Sequence, residues 1–83
     1  MPYIRQADRD FLDPQIVALA RSISSVGELN YAITRLISDF ASPLSYERIA
    51  LVTGVLENVK QEHYRRVASP YEDSKIEANG DVY

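Results

Sequence analysis

The run "HYRRVASPYEDSK", His63 to Lys75, holds the residues of this chain best suited to chemistry. Tyr64, Arg65, Arg66, Tyr71 and Lys75 bring two guanidinium forks, two aromatic faces and an ammonium. A guanidinium grips phosphate or carboxylate through paired N–H groups, so this set fits an anion-binding corner. A plainer use competes with it. Arg65 and Arg66 stand near the end of a helical pattern, where the helix dipole favours cations, and Glu62, Glu72 and Asp73 are at hand as ion-pair partners. A second pair, Tyr31 and Arg35, lies one helical turn apart in "LNYAITRL", with Asp39 four residues further on. A surface Tyr–Arg stack and an Arg–Asp pair explain it equally well. These seven residues form the candidate ligand-binding set, and a small, planar, nucleotide-like anion is the ligand they suit.

No reaction is written in the other polar residues. His63 is the one histidine. Its neighbour Glu62 points about 100° away on a helix, so the two do not share a metal ion. No HExxH or EF-hand pattern is present, no nucleophile elbow and no glycine-rich phosphate loop. Absence of Cys removes disulfides and thiolate metal sites. The expectation is a non-enzymatic protein with no catalytic residue, no metal site and no cofactor, in which His63 packs in a core or an interface.

The elements that position these residues read as helices throughout. Residues 1–12 read as an N-terminal arm anchored by Tyr3, Ile4, Phe11 and Leu12. Asp13 and Pro14 suit an N-cap and first helical position, and Ile16, Leu19, Ala20 and Ile23 continue at helical spacing. Helix 1 is therefore expected over 14–25, with Gly27 as its stop. Leu29, Ile33, Leu36, Ile37 and Phe40 make one apolar stripe, placing helix 2 over 28–41, ended before Pro43. Ser45 caps a third helix over 46–68, carrying Ile49, Val52, Leu56, Val59, His63 and Val67 at steps of three and four. "SPYE" has the form of a capping box, so a short helix is expected over 70–78, with Pro70 ending helix 3. Asn79-Gly80 stops it, and 79–83 is a terminal segment. No alternating strand pattern occurs. The fold class is all-α: a small helical bundle of three main helices plus a short C-terminal helix, in a single domain.

Eighty-three residues leave a thin margin of stability. Helix 3 would be about 34 Å long, more than so small a chain covers by itself. A homo-oligomer follows, with an interface expected at Ala50, Gly54, Leu56, Val59, His63 and Val67. Ala50 and Gly54 enter as a small pair permitting close backbone approach, since Gly inside a helix costs about 1 kcal/mol relative to Ala. No run reaches the roughly 18 apolar residues of a membrane span, and the first residues lack a signal-peptide pattern, so a cytoplasmic protein is expected. The net charge of −3 gives no general nucleic-acid footprint. A helix-turn-helix reader is the least favoured alternative, because "YERIALVTG" offers one Arg where base contacts are made.

The words "MPYIRQADRDFLDP", "GELNYAITRL", "GVLENVKQEHYRRVASPYED" and "KIEANGDVY" resemble a family of short uncharacterised phage, prophage and bacterial proteins. That family's pattern has an MPYI-x-Q opening, a central LNY-x-x-T-R-L and an ending like EFYRR-x-x-x-PYE-x-x-K-x-x-NGDV. The likeness runs along almost the entire chain, departing at His63, where the family more often has an aromatic. It implies a stand-alone single-domain protein and no particular activity. Two functions remain open on the residues: a homo-oligomeric protein-interaction module, and a binder of the anionic ligand described above.

Overall fold

Side-chain pairs in the polar opening, rather than a proline cap, start the first helix. The computed structural model describes residues 4–83, so Tyr3 and the rest of 1–3 in the expected arm lie outside the described residues. Helix α1 runs Gln6–Ser22. Arg5 reaches Asp8 at 3.1 Å and Gln6 reaches Asp10 at 2.8 Å, closing the first turns. Asp8 in the first turn suits the positive end of the dipole. Most of the expected arm is therefore helix, and Asp13-Pro14 is helix interior, not a cap. The missing N–H of Pro14 leaves one carbonyl a turn earlier without its helical donor.

The second start was misplaced by two residues for a reason visible in the sequence. Helix α2 runs Val26–Phe40. The Ser25 hydroxyl accepts the Glu28 N–H at 3.1 Å. The Glu28 carboxylate in turn accepts the Ser24 N–H at 2.9 Å and the Ser24 hydroxyl at 2.7 Å. This is a capping box with the acid reaching one residue beyond the cap. Gly27 lies inside α2 and stops nothing; α1 ends at Ser22, where the Ile23 N–H bonds the Ala20 carbonyl at 3.2 Å. The Ser24 and Ser25 hydrogen bonds hold the Glu28 carboxyl below the ordinary glutamate range.

Helix α3 runs Tyr46–His63, capped as expected by Ser45, whose hydroxyl accepts the Arg48 N–H at 3.1 Å. A π turn, Tyr64–Ala68, follows at once, and then α4, Ser69–Asn79. His63, Tyr64, Ala68 and Ser69 all keep right-handed helical backbone angles. The three pieces make one helix of 34 residues, about 51 Å long. The expected break at Ser69-Pro70 is thus absent, and so is the capping box there: Ser69 is helical, and the cap position, Ala68, has no side-chain hydrogen bond to offer.

The π turn explains how the proline is accommodated. In a regular α-helix the Pro70 ring would meet the Arg66 carbonyl and leave it without a donor. Here the Ser69 N–H bonds back to Tyr64, five residues earlier. That wider i→i+5 spacing alters the turn entering the proline, so the helix continues. Gly80, at φ 90°, ends α4 with its N–H on the Ile76 carbonyl at 2.8 Å, as the Asn79-Gly80 signal implies.

The chain is all-α, with no strand among the described residues. It divides into two units, the residues up to Phe40 and Ala41–Tyr83, where the sequence reads as one domain. Among the described residues only Ala41 and Val52 are buried. The stripe of α2 stays largely open, with Leu36 62% and Phe40 67% exposed.

Two outcomes test this account of the helices. Ser25→Ala removes the cap of α2 and should destabilise the protein by about 1 kcal/mol, read as a lower midpoint in chemical denaturation. A Cβ added at Gly54 meets nothing within 4 Å, so Gly54→Ala should stabilise by about 1 kcal/mol in the same measurement. A loss of stability there would mean that a neighbour does approach Gly54.

Candidate functional site

One carboxylate organises the arginine pair. Glu62, Arg65 and Arg66 are spaced i, i+3 and i+4, which places all three on one helix face. The Arg65 Nη2 donates to Glu62 Oε1 at 3.0 Å, and the Arg66 Nε donates to Glu62 Oε2 at 2.9 Å. Hydrogen bonding from Arg66, with help from Arg65, holds the Glu62 carboxyl below the ordinary glutamate range against a smaller opposing effect of desolvation. Both guanidiniums are thus engaged by one acid. An incoming anion would have to compete with that carboxylate. Glu57 binds Gln61 at 3.1 Å and stands 3.9 Å from Lys60. An open groove of about 670 Å³ runs past these side chains, lined also by His63, Tyr64 and Ala68.

Tyr71 and Lys75 sit further along the same helix. The Lys75 ammonium lies 5.4 Å from the centre of the Tyr71 ring, within cation–π range. They line a smaller groove of about 360 Å³ with Ile76, Asn79 and Val82. Tyr64 and Tyr71 are seven residues apart, about 10 Å along the axis. No bend at Pro70 draws them together, so the corner expected between two helices does not form.

Tyr31 and Arg35 occupy a third place, in the first unit. They line an open groove of about 480 Å³ with Leu19, Ala32, Leu36 and Asp39. Arg35 pairs with Asp39 at 3.7 Å. The seven candidate ligand residues therefore fall in three locations. Each is open to solvent, where ion pairs contribute little to stability.

The candidate interface residues also separate. Leu56, Val59, His63 and Val67 share one side of the long helix and are exposed. At about 100° per residue, Ala50 and Gly54 come out on the opposite side. The open space at Gly54 agrees with that placement, and the expected close backbone approach there is absent. Tyr71 belongs with the Leu56 side and was not in the candidate interface. A further step of four from Val67 was the signal that could have found it. Among the described residues no group of His, Asp or Glu is positioned to hold a metal ion. No described helix is long and apolar enough to cross a membrane.

Residues 1–82 match the model of a family described as a domain of unknown function, DUF6899, and the chain belongs to that family. No curated protein and no solved structure matches it.

The depressed pKa of Glu62 has a testable sign. A carboxyl whose folded pKa lies below its unfolded value stabilises the fold at pH above the unfolded value. That contribution is lost as pH falls through the folded one. Carbon-detected NMR titration should find Glu62 protonating at lower pH than a glutamate in an unfolded peptide. Replacing Arg66 with Gln should move it upward more than replacing Arg65 does, because Arg66 makes the stronger hydrogen bond.

Proposed function

We propose that this protein is a non-catalytic helical interaction module that works as a homo-oligomer. The observation that carries the reading is the area left uncovered. The chain exposes 7585 Å², whereas a folded monomer of its 9.4 kDa mass is expected to expose about 5,000 Å². The surplus of roughly 2,600 Å² is several times the ~800 Å² that one partner contributes to a standard interface. It lies in the range of obligate assemblies, which resemble a core divided between chains. The exposed side chains are of the right kind, for they include Phe11, Ile33, Leu36, Phe40, Leu51, Val59 and Val67. Contiguous apolar surface on this scale marks an interaction site.

The paired state of Arg65 and Arg66 favours this reading over the anion binder. Binding an anion there costs the Glu62 contacts first, and Tyr31 and Arg35 belong to a different unit. The functional surface is then apolar helix, with the Tyr, Arg and Lys side chains at its margins.

Sedimentation equilibrium across micromolar concentrations should give a mass of at least two chains. A constant mass of 9.4 kDa would sink the reading. A thermal-shift panel of nucleotides separates the two functions. The module should show no rise, while a ligand binder should gain about 2.7 kcal/mol at a hundredfold excess over Kd.

A further inference from the structure

The π turn does more than admit a proline. Follow the apolar line of the long helix: Val52, Leu56, Val59 and His63 step by four, three and four. Alternation of three and four keeps a seam on one side of a helix. Beyond His63 the steps are four and four, to Val67 and Tyr71. In a regular α-helix each step of four overshoots a full turn by about 40°, so Val67 and Tyr71 would drift progressively off the line. The π turn falls at Tyr64–Ala68, between His63 and Tyr71. Its i→i+5 bonding takes up one additional residue. Val67 and Tyr71 are thereby returned to the side that carries Leu56 and Val59. Insertion and sequence pattern compensate each other.

We infer that this corrected seam, Leu56–Val59–His63–Val67–Tyr71, is the face on which a second copy of the chain docks, seam against seam. The inference rests on the oligomeric reading above and adds the face and the device that straightens it. Val52, on the same line, is buried, while Leu56, Val59, Val67 and Tyr71 are 41%, 61%, 54% and 61% exposed. The uncovered seam thus continues directly from a covered position. It runs about 23 Å along the helix. The charges beside it are already paired within the chain, Glu57 with Lys60 and Glu62 with Arg65 and Arg66. Two such faces can meet without bringing unpaired like charges together. A second copy presents the same length, spacing and insertion, so a two-fold arrangement matches the seam to itself. The roughly 2,600 Å² surplus per chain is enough for such an interface.

The test uses the full chain. Val59→Glu and Val67→Glu each put a carboxylate in the seam and should weaken self-association on the order of a hundredfold or more, read by sedimentation. Gly54→Glu, on the opposite side, should leave association within a few-fold of the parent. Circular dichroism reports whether each variant keeps its helix. Should the seam variants unfold, a second measurement decides. The chain has no Cys, so a nitroxide can be attached singly through Val59→Cys or Gly54→Cys. In the associated protein the label at 59 should be shielded from an aqueous relaxation agent and the label at 54 should not. A parent protein that stays at 9.4 kDa overturns both the seam and the oligomer, and means that the chain's own first unit covers this face. If the parent associates but the labels are equally accessible, or the seam variants associate unchanged, the seam is overturned and the oligomer stands.

Discussion

A single helix cannot bury its own side chains, and this constraint governs the second half of the protein. Hydrogen bonds along the 34-residue helix satisfy its backbone internally. They do nothing for Leu56, Val59, Val67 or Tyr71, which project outward and need another surface. Hydrophobic burial is the main favourable term in folding, yet only Ala41 and Val52 are buried among the described residues. Local order is therefore ample while tertiary cover is scarce. Everything proposed for this protein follows from that imbalance.

The polar chemistry is subordinate to the helix. The Glu62–Arg65–Arg66 cluster arises because residues three and four apart share a face. It neutralises the arginines in place. The same geometry produces Arg5–Asp8 and Arg35–Asp39. Arginines that look available in the sequence are thus taken by acids one turn away. The one place where backbone chemistry departs from the α pattern, Tyr64–Ala68, coincides with Pro70 and with the change in apolar spacing. A missing N–H and an additional residue in the stripe are answered by one turn.

The comparison of expectation with structure turns on range. Ser45 as a cap, the end of α2 before Pro43 and the Gly80 stop were legible, because each depends on residues within one turn. Pro14 and Pro70 misled for a related reason. Proline is well placed at the first position of a helix, but it also occurs inside one when the neighbouring turn adjusts or a lost hydrogen bond is tolerated. The Ser25–Glu28 box was present in the sequence as S-x-x-E. Gly27 drew attention away from it by resembling a stop.

The sequence by itself determined that the chain is all-α, where its apolar stripes run and which side chains carry charge, since these follow from composition and from a period of 3.6 residues. Tertiary structure decided that α3 and α4 are continuous, that the seven candidate ligand residues fall in three places and that Gly54 faces open space. Those outcomes depend on the three-dimensional course of the backbone through Ser69 and Pro70. A residue's local preference cannot report whether its neighbours will widen a turn to keep it.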